Sequence, residues 1–373
     1  MSYRRLQALI AYAALLLPAT EAGAKSSINM APGVTEISHL VYNMHQFMLW
    51  AVSIIGALVF GVMFLSIFLH RKSRGHKAAH FHENLKVEIL WIVIPVCILV
   101  AMAVPATNTL LKMEDTSSAD IRIQITGYQW KWHYKYLDEG IEFFSNLSTP
   151  QDQIQNLTAK GENYLLEVDN RLVIPTGKKV RFLVGSKDVI HSWWVPDFAV
   201  KRDAIPGFIN ESWTRVDVPG IYRGQCTELC GVNHGFMPVV VEVLAQADYE
   251  DWLSTRKAEK MAALAASAGT YTRDELMKRG EAVYARTCTA CHQISGQGLP
   301  PVFPALAGSS ITTGPQSRHI QIVLSGVEGT AMQAFGPQLD DLDLAAVITF
   351  ERNAWGNDTG DMAQPADIKA ARQ

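Results

Sequence analysis

Two short stretches of the chain concentrate side chains that bind metals. The first, GQCTELCGVNHGFM at residues 224–237, carries Cys226 and Cys230 four positions apart, His234 four further on and Met237 three beyond that. Thiolate and thioether sulfur favour copper, and imidazole suits copper or zinc. Structural zinc sites take cysteine and histidine and rarely methionine. A single-copper site of the His–Cys–His–Met kind uses one cysteine, whereas this stretch offers two, and a second histidine has to come from elsewhere. His191, in SKDVIHSWWVPDF, is the candidate. Two thiolates, two imidazoles and a thioether are too many for one tetrahedral ion and suit two coppers bridged by the two sulfurs. A Cys226–Cys230 disulfide, a structural zinc, and a Met237 that merely fills the core are the competing readings.

The second stretch, RTCTACHQ at residues 286–293, supplies Cys288, Cys291 and His292. C-x-x-C-H is the attachment signal of c-type haem, in which two thiols add to the vinyl groups and the histidine binds iron. A redox-active C-x-x-C is the rival, but it lacks the βαβ context of a thioredoxin. The other axial ligand should lie downstream. Met332, in GVEGTAMQAFGPQLDD, is the candidate, and a methionine ligand raises the potential as an electron carrier needs. Met362 and His319 are its rivals.

The elements that must position these residues change along the chain. From about Ile121 to Val243, the runs IRIQITGYQWKWHYKY, NYLLEVDN, KKVRFLVGS, WTRVDV and MPVVVEVL read as strands punctuated by Gly, Pro, Asn and Asp. Many short strands with little helix imply a β-sandwich or barrel. The first metal stretch then falls in a loop between strands. The alternation in GYQWKWHYKY places Tyr128, Trp130, Trp132, Tyr134 and Tyr136 on one face, as an aromatic cover for such a sandwich. From about Asp248 the chain becomes charged and helical. DYEDWLSTRKAEKMAALAASAG reads as a linker helix with Gly269 as a break, and TRDELMKRGEAVYART opens a small helical domain with a long loop near GQGLPPVFPALAGSS.

The first third is different. MSYRRLQALIAYAALLLPATEAGAKS has Arg4 and Arg5, an apolar run and Ala22-Gly23-Ala24, the pattern of a secretory signal cut after Ala24; an uncleaved anchor is the alternative. Phe47–Leu69 and Ile89–Leu111 are uncharged runs of 23 residues each, long enough as helices to cross a hydrocarbon core. Between them HRKSRGHKAAHFHENLK carries Arg71, Lys72, Arg74, Lys77 and Lys86, and short basic loops stay in the cytoplasm. His76, His80 and His82 in that loop could bind metal, with a solvated basic loop as the favoured reading. The two spans therefore form a hairpin with everything after Lys112 outside, in an oxidising compartment if the host is Gram-negative. Cys97 lies inside the second span and reads as an apolar packing residue. The net charge of −3 gives no indication of a nucleic-acid partner.

These features together resemble subunit II of the haem–copper cytochrome c oxidases, with a fused C-terminal cytochrome c as in the caa3 type. Over residues 40–245 the resemblance rests on VEILWIVIP, GYQWKWHY, LEVDNRLVIPTG, DVIHSWWVPDF, KRDAIPGFIN and GQCTELCGVNHGFMPVVVEV. It implies a cupredoxin-like sandwich holding a binuclear copper centre, CuA. His191, Cys226, Cys230, His234 and Met237 match the family's copper ligands. Glu228 matches the residue whose backbone carbonyl completes the set, and its side chain matches a ligand of the magnesium shared with subunit I. Trp130 matches the tryptophan through which electrons reach CuA from cytochrome c. Glu88, which otherwise suits the headgroup layer at the start of the second span, matches the glutamate at the mouth of a proton path into subunit I. The family often has histidine in place of Tyr128, a departure that touches no ligand. Residues 276–358 resemble class I cytochromes c, including FPALAGS and LAAVITFERNAWGN, with Pro304 matching the proline near the haem histidine.

The expected layout is a signal peptide at 1–24, a transmembrane hairpin at 25–115 and a CuA domain at 116–246. A linker helix at 247–275, an all-α cytochrome domain at 276–358 and a tail at 359–373 follow. The implied function is electron transfer from cytochrome c, through covalent haem c and CuA, to the subunit I that reduces O2. The implied setting is a bacterial inner membrane, beside subunits I and III, with both redox domains on the periplasmic side. Tethering a cytochrome to its acceptor raises its effective concentration. A quinol oxidase subunit II shares the hairpin and sandwich but lacks the copper ligands. A nitrous oxide reductase shares the CuA motif but is soluble and carries a large catalytic domain. A copper-delivery or storage protein has no need of covalent haem.

Overall fold

The computed structural model describes residues 29–75 and 82–372. The expected signal peptide, with its cleavage site, and His76 and His80 lie outside the described residues. The chain divides into two units, Met1–Thr109 and Leu110–Gln373.

Helix α1 (Glu36–Leu69) starts where the Thr35 hydroxyl accepts the Ser38 amide and Ser38 answers with its side chain, a reciprocal cap. Helix α2 (Leu85–Glu114) starts in the same manner. The Asn84 side chain accepts the Val87 N–H at 3.3 Å, and Glu88 accepts the Asn84 N–H at 3.2 Å. Both helices outrun the 23-residue spans read from the sequence, because the flanking polar residues continue the helix. Phe47, Trp50, Leu58 and Phe64 on α1, and Trp91, Leu99 and Leu111 on α2, are exposed. Apolar surface on that scale requires a non-aqueous environment, and each helix is long enough to span a bilayer.

Among the described residues, ten strands form two five-stranded sheets. In the first, the order is β3 (Ile141–Ser145), β2 (Lys131–Tyr136), β1 (Ile121–Tyr128), β5 (Val180–Ser186), β8 (Asn210–Thr214). In the second it is β4 (Leu172–Pro175), β10 (Pro238–Leu244), β9 (Gly220–Cys226), β6 (His191–Val195), β7 (Val200–Ala204). In the first sheet the completely enclosed residues alternate, Ile123 with Ile125 and Trp132 with Tyr134, whereas in the second Val239 to Val241 are enclosed one after another, buried on both faces.

Three sequence expectations change here. IRIQITGYQWKWHYKY is not one strand but a hairpin, β1 and β2, pairing Tyr128 with Lys131. The turn breaks the alternation: Trp132, Tyr134 and Tyr136 face the core, whereas Tyr128 packs edge-on against Phe144 and His133 outside it. NYLLEVDN is not a strand, and only Val168 bridges, to Leu147. Asp169 instead binds the Asn146 amide at 2.7 Å, a side-chain bond that competes with a ladder. Gly224 to Cys226 are the end of β9, so only the rest of the first metal stretch is loop.

Helix α3 (Gln246–Ala266) occupies the expected linker but is anchored at its start. Tyr249 is buried, and Trp252 packs on Tyr136 with ring centroids 5.5 Å apart. The cytochrome domain is built on the crossing of α4 (Arg273–Thr287) with α6 (Asp341–Asn353). A Cβ on Gly280 would stand 2.1 Å from the Ala346 carbonyl oxygen, so only glycine lets these helices approach. Helices α5 (Gln316–Ser325) and α7 (Pro365–Ala371) close the core. Residues 359–373, expected as a tail, give this core Ala363 and Ile368, both fully buried.

Candidate metal centres

His191 opens β6, Cys226 closes β9, and the intervening loop brings Cys230, His234 and Met237 back beside them. The ligand atoms of His191, Cys226 and Cys230 lie within 4.8 Å of one another. The two cysteine sulfurs are 3.9 Å apart, too far for a disulfide and close enough to share metals. Cys230 Sγ lies 3.5 Å from His234 Nδ1 and 3.5 Å from Met237 Sδ. Cys226 Sγ lies 3.4 Å from the Glu228 carbonyl oxygen, while the Glu228 side chain is exposed. All six residues singled out for this site therefore meet in one place.

The donor set fits copper. His191 is fully buried, and its Nδ1 has no hydrogen-bond partner among the described residues, an orphaned nitrogen beside two thiols. Its other nitrogen is held by Asp188 at 2.8 Å, which fixes the ring as an outer partner fixes a metal ligand. Burial disfavours charge on the ring, but Asp188 and Cys226 outweigh it and raise the His191 pKa. Burial likewise opposes the Cys226 thiolate, but His191 overcomes it and lowers that pKa. Burial, then the charge of Cys226, pushes the Cys230 thiol up to about 12. Two buried thiolates this close need added positive charge, which metal ions bring. Glycine at position 127 leaves room for the imidazole: a Cβ there would stand 2.7 Å from His191 Cδ2.

Trp130 lies in the hairpin turn, half-buried. Its Nε1–H donates to the Cys230 carbonyl at 3.2 Å, and Gln129 Nε2 donates to the same oxygen at 2.8 Å. The turn is thus bonded directly to the ligand loop. Trp132 Nε1 donates to the Met237 carbonyl at 3.4 Å from inside the core.

Cys288 caps α4, and Cys291 and His292 follow in a single helical turn. His292 Nδ1 pairs with the Pro304 carbonyl at 2.9 Å. A carbonyl can only accept, so Nδ1 carries the proton and Nε2 keeps its lone pair for iron. Both thiols are unpaired, and burial raises both pKa values, that of Cys288 furthest. The residues fit covalent haem. Met332 sits, half-buried, in the loop between α5 and α6, where its carbonyl accepts the Val327 amide at 2.9 Å. His319 is buried against Glu351 at 2.8 Å, and Met362 is exposed. Glu88 sits at the start of α2, capping it as described.

Sequence reasoning missed Asp188, Gln129, Lys131 and Glu351. Asp188 stands three residues before His191, a spacing that could have marked it. The others become neighbours of the sites only through folding.

Residues 23–109 match the family described as cytochrome c oxidase subunit II, transmembrane domain, and residues 121–244 match its periplasmic domain. Residues 275–350 match the family described as cytochrome c oxidase, cbb3-type, subunit III. A probable cytochrome c oxidase subunit 2 of Rickettsia prowazekii is 41% identical over 63% of this chain and 74% of its own length. The cytochrome c oxidase subunit 2 of Cyanidium caldarium is 37% identical over 60% of this chain and 88% of its own. Among solved structures, the periplasmic domain of subunit II of the Bradyrhizobium japonicum cytochrome oxidase is 40% identical. It covers 39% of this chain and 98% of its own, with a TM-score of 0.35.

Proposed function

The chain belongs to the cytochrome c oxidase subunit II family and is part of a haem–copper terminal oxidase, and on that premise we propose that it is the subunit that receives the enzyme's electrons. It takes them from cytochrome c, through covalent haem c and a binuclear CuA centre, to the subunit I that reduces O2 to water with proton pumping. The observation that carries this reading is the convergence of two thiols, two imidazoles and a thioether at one buried point, bonded to the Trp130 turn.

His191, Cys226, Cys230, His234 and Met237 would hold the copper, with the Glu228 carbonyl, and Cys288, Cys291, His292 and Met332 would hold the haem. Bound there, copper and haem iron supply one-electron chemistry. The chain's own residues do the rest. Asp188 fixes the His191 ring, and the Pro304 carbonyl fixes that of His292. Burial of His191, Cys226, Cys230 and Met237 keeps water from these four ligands, with His234 half-buried at the rim, so the site passes electrons and leaves substrate chemistry to subunit I. Trp130 is where electrons arrive at the ligand loop. The exposed Glu228 carboxylate serves a magnesium shared with subunit I. Glu88, at the end of α2 nearest the basic loop, takes up protons for that subunit.

The setting proposed is a bacterial inner membrane crossed by α1 and α2, with the domains after Lys112 in the periplasm and subunit III alongside. Expected domain limits are 1–24, 25–115, 116–246, 247–275 and 276–358, with the core contribution of residues 359–373 added to the last. The test is Cys226→Ser in the assembled oxidase. Haem c should still be reduced by the donor while O2 consumption stops. O2 consumption at the unaltered rate would contradict the reading.

A further inference from the structure

Lys131 follows Trp130 in the hairpin and stands where the sandwich meets the cytochrome domain. Its ammonium donates to Gln338 Oε1 and lies 5.3 Å from the Phe144 ring centroid and 5.4 Å from that of Phe335. Gln338 and Phe335 belong to the loop that carries Met332, and Gln333 of the same loop donates to the Gln129 carbonyl. Lys131 thus sits under the proposed haem loop, with an amide oxygen and two aromatic faces as partners. Among the described residues no carboxylate comes within ion-pairing distance. The groups within Coulombic range are Cys288, Asp188, Cys291 and Asp169, so both haem-attachment cysteines lie in its field.

A cation paired only with neutral groups keeps its field, and that field acts strongly where water is excluded. A positive charge near a redox centre favours the state with one more electron. We infer that Lys131 is a positioning charge for the haem, set at the seam between the two domains so that docking of the Met332 loop raises the haem reduction potential. This rests on the function proposed above. Burial pushes the Lys131 pKa down to about 8, so the charge is present below that pH and is lost as pH rises through it. Burial opposes the charge on Asp188, but the His191 ring and the Gln129 and Val189 amides outweigh it and lower its pKa, so it remains ionised over that range. Cys288 and Cys291, as thioethers, have no proton to lose.

The test is redox titration of haem c in the complete, metal-loaded oxidase carrying Lys131→Met, with Lys131→Gln as the second variant should the first fail to assemble. The expected result is a lower haem potential, by at least about 59 mV, a tenfold change in a one-electron equilibrium. Lys131→Arg should keep the potential of the unaltered chain. The unaltered chain should also show a fall in potential as pH rises through the Lys131 pKa, which burial holds below the ordinary lysine value, and that fall should be absent from the methionine variant. An unchanged potential in a variant that carries its haem overturns the inference alone. Absence of covalent haem from the unaltered chain overturns the proposed function and the inference with it.

Discussion

The residues proposed to hold copper and haem stand out as candidates because their chemistry is written in local spacing. C-x-x-C-H admits few uses, and two cysteines followed by His234 and Met237 narrow the metal before any fold is known. Of the groups placed to tune these residues, Asp188 is marked by its spacing three residues before His191, whereas Lys131 reaches the Met332 loop only through folding. Lys131 acquires its surroundings from a loop some two hundred positions away, at Phe335 and Gln338. Asp188 has one clear consequence at this scale. Its carboxylate holds His191 at 2.8 Å and receives the Gln129 amide at 2.7 Å. Asp188→Asn keeps the shape but removes the charge that orients and enriches the imidazole. Outer partners of this kind are worth about 10–100-fold in metal affinity. Copper retention against a competing chelator should fall by that factor, with the haem band unaltered. Retention equal to that of the unaltered chain would remove Asp188 from the account.

At the scale of elements, periodicity located both long helices and the strands β1, β2, β5 and β10, it caught only the end of β8 in WTRVDV, and it failed where turn chemistry or tertiary packing decides. The alternation in GYQWKWHYKY runs unbroken through a hairpin turn, so a single strand was the natural reading. That turn takes Trp130 out of the core and onto the Cys230 carbonyl. Asn163, Asp169 and Asn170 likewise make a turn-rich segment of an apolar run. Residues 359–373 lack a strong apolar face, yet Ala363 and Ile368 complete a helical core that only the packed domain defines. Gly280 carries the prediction here. With the Ala346 oxygen 2.1 Å from any added Cβ, Gly280→Ala must part α4 from α6. Overpacking of this kind costs about 1–3 kcal/mol. Denaturant unfolding followed at the haem band should show a lower midpoint, and an unshifted midpoint would mean the crossing is looser than described.

At the scale of the whole molecule, the chain joins two jobs. The pair α1 and α2 provides an anchor whose apolar surface suits a bilayer. The unit from Leu110 onward brings the two candidate redox sites into one body. The Met332 loop rests on the turn that bonds to the copper ligand loop, through Gln333 to Gln129 and Gln338 to Lys131. On the function proposed above, a cytochrome tethered in this way would deliver electrons to a partner always in place, which gives the fusion a physical reason. The account stands or falls on both sites being filled in the same chain. The most direct measurement is copper and iron per purified chain, taken with the visible and near-infrared spectrum. The account predicts two coppers for each iron, with a sharp reduced c-type haem band and the absorption of a mixed-valence copper pair. Intact haem with one copper or none would contradict it, leaving a membrane-tethered cytochrome on a sandwich without a binuclear centre.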